Sequence, residues 1–126
     1  MGPSQMSCLF NSFSALIKEP PQAIRGRICD FLATDPALMD DLPASLVIAI
    51  ESGKQLAPYV QTMRSPSTWG GAIEIRAFVQ LWKRPVKVYV IRTRRWIEFP
   101  FTGPAAANTN PECKISWTGG HYEPMH

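Results

Sequence analysis

Two side chains in this 126-residue chain have the chemistry of a nucleophile and of its base. Cys8 opens a stretch, residues 8–18, in which Leu9, Phe10, Phe13, Leu16 and Ile17 share one stripe about 120° wide at helical spacing. With Ser7 as N-cap, Cys8 stands at a helix N-terminus, where unpaired backbone N–H groups and the helix dipole favour negative charge and so a thiolate. On a helical wheel it lies about 80° outside the apolar stripe, so it faces a cleft and not the core. An unperturbed thiol, with a pKa of ~8.5, is only slightly ionised at neutral pH, so a nucleophilic cysteine needs a base within reach. Of the two histidines, His126 is the last residue, and His121 opens the final strand directly after Trp117-Thr118-Gly119-Gly120. His121 is therefore the candidate base. Taken singly, Cys8 also reads as a packing thiol and His121 as a structural histidine.

The elements that must bring them together divide by type. A second helix spans about 21–34, opened by Pro20-Pro21 and stopped by Asp35-Pro36, with Ile24, Ile28, Phe31 and Leu32 on its inner face. Helical spacing resumes from Ala44 to Met63, with Gly53 a point of division, and again over 72–83, where Arg76, Gln80 and Lys83 form the only polar stripe. Residues 64–71, RSPSTWGG, read as a turn. Gly71 as N-cap places Glu74 at N3, where its carboxylate returns a hydrogen bond to the capping amide. The last third is extended: VKVYVI (86–91) and WIEFPF (96–101) read as a hairpin, a loop covers 102–112, and KISW (114–117) and HYEPM follow. The fold class is α+β, several helices packed on a small, mostly antiparallel sheet.

Composition narrows the class further. A chain that is 45% hydrophobic and 18% charged suits one globular domain over 1–126 with its own core. No apolar run approaches the ~18 residues of a membrane span. Three scattered cysteines, Cys8, Cys29 and Cys113, oppose a disulfide framework and favour a reducing, cytoplasmic setting. His121 and His126 have metal-ligand spacing but no Cys-x-x-Cys partner, so neither metal nor cofactor is expected. The cluster Lys83, Arg84, Lys87, Arg92, Arg94 and Arg95 reads as a solvated face, not a nucleic-acid site. A monomer is expected.

Four segments in order, Ser7-Cys8-Leu9-Phe10-Asn11-Ser12-Phe13-Ser14, Trp69 to Ala77, Val86 to Ile91 and Gly120-His121-Tyr122-Glu123-Pro124, resemble the ovarian tumour (OTU) domain cysteine proteases over essentially the whole chain. The resemblance implies a papain-type thiol hydrolase fold with Cys8 as nucleophile, His121 as general base and Glu123 as the group orienting the imidazole, where the family usually has Asp or Asn. It implies an oxyanion site of backbone amides from Gln5, Met6 and Cys8, although Gln5-Met6-Ser7 replaces the family's usual Asp-Gly-Asn/Ser and Met6 stands where Gly has more steric freedom. Trp117, Gly119 and Gly120 fall where the family threads a ubiquitin tail ending in Gly-Gly. Trp69-Gly70-Gly71 reads as structural. The implied activity is hydrolysis of the isopeptide or peptide bond after the C-terminal glycine of ubiquitin or a ubiquitin-like protein. The alternative is a degenerate domain that binds ubiquitin without cutting it. The short flanks beside Cys8 and Glu123 suggest a domain taken from a longer polypeptide.

Overall fold

A computed structural model describes residues 7–39, 41–102 and 110–125. In chain order the described elements are α1 (Cys8–Ile17), α2 (Pro21–Ala33), β1 (Ala37–Met39), β2 (Leu42–Pro43), α3 (Ala44–Ser52), α4 (Leu56–Met63), α5 (Ala72–Trp82), β3 (Val86–Val90), β4 (Arg95–Phe99), β5 (Cys113–Trp117) and β6 (Tyr122–Met125). The expected helices form to within a residue at each end. The long stretch from Ala44 divides at Gly53, whose φ of 72° lies in the left-handed region that suits a residue without Cβ. Pro21 occupies the first position of α2, where its missing N–H costs nothing.

The apolar stripes meet in one core. Leu9, Phe10 and Phe13 of α1 face Ile24, Ile28 and Leu32 of α2, Ile75 and Phe78 of α5, and Val86, Val88 and Ile115 of the sheet, all essentially inaccessible. Phe13 stacks on Phe78 with ring centroids 3.8 Å apart and planes within 4°. Each such ring contributes about 1.5–3 kcal/mol by leaving water.

The four-stranded sheet has the order β4-β3-β5-β6. The β3–β4 hairpin and the β5–β6 pair are antiparallel, as expected, but the central pair β3–β5 is parallel, running from Val86↔Cys113 to Val90↔Trp117. The cause lies in the connection after β4. Residues 100–112 are long enough for a crossover, and their far end is fastened to the start of β3. The Asn110 and Cys113 amides donate to the Lys83 and Pro85 carbonyls, and the Arg84 Nε donates to the Pro111 carbonyl. β5 therefore begins where β3 begins and runs beside it. A further two-stranded pair, β1 with β2, forms where the residue pattern predicts no strand.

The turn before α5 is held by a buried carboxyl and by a close approach of backbone to α1. Glu74, 1% exposed, accepts a hydrogen bond from the Gly71 amide at 2.7 Å, the expected capping interaction, and a second from the Tyr59 hydroxyl at 2.6 Å. Gly70 packs directly on α1: a Cβ there would lie 2.8 Å from Leu9 Cδ2 and 2.9 Å from Phe10 Cε2. Both neighbours are fully buried and have little room to give.

Gly70→Ala is expected to lower stability by about 1–3 kcal/mol, the usual range for overpacking a filled core, with an unchanged urea m-value. Wild-type stability would contradict the close approach. Burial pushes the Glu74 carboxyl up to about 7, against the opposing pull of its hydrogen bonds and of Arg25. The folded state thus holds this proton more tightly than the unfolded chain does. Its contribution to stability is fully present below about pH 4.5 and is lost as pH rises through about 7. Glu74→Gln is expected to flatten the pH dependence of Tm across that window; an unaltered slope would contradict it.

Candidate active site

Cys8 is the first residue of α1. It is 3% exposed, yet it stands outside the hydrophobic core that its neighbours Leu9 and Phe10 join. It lines a cleft of about 260 Å³ with Asn11 and Ser12 from α1 and His121, Tyr122 and Glu123 from the start of β6. The Ser12 hydroxyl donates back to the Cys8 carbonyl at 2.8 Å, the i−4 bond a helical serine makes to its own backbone. From the opposite wall the Tyr122 amide donates to Cys8 Sγ at 3.4 Å, a contact spanning 114 positions of sequence. The expected opening toward a cleft is present, and β6 nearly closes it over the sulfur.

His121 and Glu123 sit two positions apart, with Nε2 3.3 Å from Oε2. Both are substantially exposed, so this pair orients the ring more than it stabilises the fold. Nδ1 is left free of that contact. Cys8, His121 and Glu123 thus surround one cavity.

A second, mainly apolar groove of about 430 Å³ shares Tyr122 with this cleft as a lining residue. Trp69, Gly70 and Gly71 form part of one wall. The turn that read as structural therefore also lines the groove. Trp117, Gly119 and Gly120 line it too. Trp117 stacks with Tyr122, centroids 6.1 Å apart, and Gly119 has a φ of 106°, which strains any residue with a Cβ. Arg92 packs over this turn, 3.6 Å from where a Gly119 Cβ would be.

Gln5, Met6 and His126 lie outside the described residues. Ser7 does not cap α1 with its side chain; its hydroxyl turns away to the Pro66 carbonyl at 3.1 Å and accepts a hydrogen bond from Arg25 Nη2 at 3.1 Å. Among the described residues no three His, Cys, Asp or Glu side chains are grouped as metal ligands, and no helix is long and apolar enough to cross a membrane. Sequence reasoning missed the Tyr122 amide, which no side-chain pattern can reveal, and the wholly buried Arg25. A signal for Arg25 existed: it shares the i, i+4, i+7 face of α2 with Cys29 and Leu32, both buried.

Three comparisons bear on this arrangement. The family model described as OTU-like cysteine protease matches residues 6–122. An ovarian tumour domain solved in complex with ubiquitin superposes with a TM-score of 0.73 at 20% identity, covering 94% of this chain and 62% of that one. The OTUD1 OTU domain superposes with a TM-score of 0.69 at 14% identity, covering 94% of this chain and 77% of that one. The chain thus spans about three-fifths of the length of the ubiquitin-bound domain. No curated protein sequence matches it.

The three thiols have distinct surroundings. Burial pushes Cys29 up to about 11 and also raises Cys113, and neither lines the cleft. Brief iodoacetamide treatment at neutral pH is expected to alkylate Cys8 before either of the others, as read by peptide mass mapping. Equal labelling of all three, or preferential labelling of Cys29, would contradict this placement.

Proposed function

Because the chain belongs to the family of OTU-like cysteine proteases, we propose that it hydrolyses the isopeptide or peptide bond after the C-terminal glycine of ubiquitin or a ubiquitin-like protein. The observation that carries this reading is the convergence of Cys8, His121 and Glu123 on one cleft, which shares Tyr122 with a glycine-walled groove. His121 Nδ1 takes the thiol proton while Nε2 faces Glu123. Sγ then attacks the glycine carbonyl, and the Cys8 amide at the head of α1 receives the oxyanion. Collapse of the tetrahedral adduct forms a thioester and expels the amine, which takes the proton from the imidazolium. Water, deprotonated by His121, hydrolyses the thioester and restores the thiol.

The groove suits an extended tail of small residues, since Gly70, Gly71, Gly119 and Gly120 present backbone and the tryptophans supply apolar walls. The ubiquitin seated on the structurally similar domain supports this choice of substrate. The protein acts as a monomer, without cofactor, in a reducing cytoplasm. A second reading, ubiquitin binding without cleavage, draws on the 3% exposure of Cys8 and on Met6 replacing Gly.

Cleavage of a fluorogenic ubiquitin C-terminal amide separates the two. Cys8→Ala is expected to abolish turnover, and His121→Ala to reduce it by about 10²- to 10⁴-fold. Glu123→Ala is expected to cost less, because a thiol nucleophile depends less on the third group. Full turnover by Cys8→Ala would overturn the mechanism. Binding of ubiquitin by a wild-type chain that never cleaves would establish the second reading.

A further inference from the structure

Arg25 of α2 is a large cation with no solvent exposure, 17 positions from the nucleophile in sequence. Burying a guanidinium is costly unless its donors are used. Here Nη1 donates to the carbonyls of Met63 at 2.9 Å and Thr68 at 3.0 Å. Nη2 donates to Ser7 Oγ at 3.1 Å and more weakly to the Pro66 carbonyl at 3.5 Å. The guanidinium carbon lies 4.2 Å from the centroid of the Phe10 ring. Of its three nitrogens, Nε alone is buried without a partner among the described residues.

This fork reaches two structures at once. One is the turn that leaves α4 and runs into Trp69-Gly70-Gly71, the groove wall. The other is Ser7, whose carbonyl accepts the Asn11 amide and whose peptide carbon carries the Cys8 amide. A Ser at this position normally bonds the amides of its own helix; this one makes no such bond and is held between Arg25 and Pro66. Charge-assisted hydrogen bonds of this kind are roughly twice as strong as neutral ones and fix geometry as well.

We propose that Arg25 is a positioning residue for the reaction: acting through the Ser7 hydroxyl, it locks the first turn of α1 against the 63–68 turn, so that the Cys8 amide and sulfur hold one orientation toward the groove. This role rests on the proposed hydrolysis and involves no contact between Arg25 and substrate. Small misplacements of a reacting group by remote changes can cost about 10²-fold, so a loss in kcat of about ten- to a hundredfold is expected on breaking the link.

Ser7→Ala removes the link and leaves the buried arginine with its other partners. Arg25→Lys keeps the cation, but its single ammonium cannot replace a fork that serves both turns. Kinetics on the fluorogenic ubiquitin amide, with kcat expressed per active site titrated by a ubiquitin C-terminal electrophile, are expected to show kcat lowered and KM unchanged in both variants. The double variant should lose clearly less than the product of the two single losses, since the Arg25–Ser7 bond is broken in both, although Ser7→Ala also removes the hydroxyl's own bond to the Pro66 carbonyl. Wild-type kcat in Ser7→Ala overturns the proposal while leaving the hydrolase intact. So does a loss that disappears once active sites are counted, or one that adds fully in the double variant. A wild-type chain that neither turns over nor is labelled overturns the hydrolase reading itself, and this proposal with it.

Discussion

The start of α1 and the start of β6 must lie against each other, and the bond from the Tyr122 amide to Cys8 Sγ is where they touch. Neither segment is near the other in sequence, so the rest of the fold serves this closure. The parallel pairing of β3 with β5 is the decisive step. It places the end of β5 level with the end of β3, and the turn at Thr118–Gly120 sends β6 back across α1. Only residues 83–85 separate α5 from β3, so the N-terminus of α5 also lies at this end of the sheet. The cleft and the groove share one end of the molecule for that reason.

Two buried ionisable side chains hold that end in shape. Glu74 ties the Gly71 amide and the Tyr59 hydroxyl together and so fixes the turn forming one wall of the groove. Arg25 ties the preceding turn to Ser7. Each is expensive to bury, and each has its hydrogen bonds only when the backbone takes the observed path. Their effect is to select one conformation of irregular segments that apolar packing alone would leave less determined.

Much of this is legible from residue spacing. The apolar stripes of α1, α2 and α5 locate the helices and their buried faces, and Gly53 marks the break before α4, because these are local consequences of a 3.6-residue period and of prolines and glycines at the ends. The parallel centre of the sheet is not legible, since VKVYV and CKISW alternate in the same way whichever direction they pair. What decides the direction is the fastening of Asn110, Pro111 and Cys113 to residues 83–85, a set mostly of backbone contacts without a sequence pattern. The candidacy of Cys8, His121 and Glu123 comes from motif order, and the fold places all three on one cleft. Nothing in the residue types discloses that a backbone amide covers the sulfur, or that the hydroxyl of Ser7 is taken by an arginine from another helix.

The central claim is that the sulfur at the head of α1 stands where a tail entering the groove presents its last carbonyl. Ubiquitin carrying an electrophile in place of its C-terminal carboxylate tests this in one step. A single covalent adduct mapping to Cys8, formed with the wild-type chain and absent in Cys8→Ala, is the expected result. An adduct on Cys29 or Cys113, or saturable binding of this ubiquitin with all three thiols left free, would contradict it.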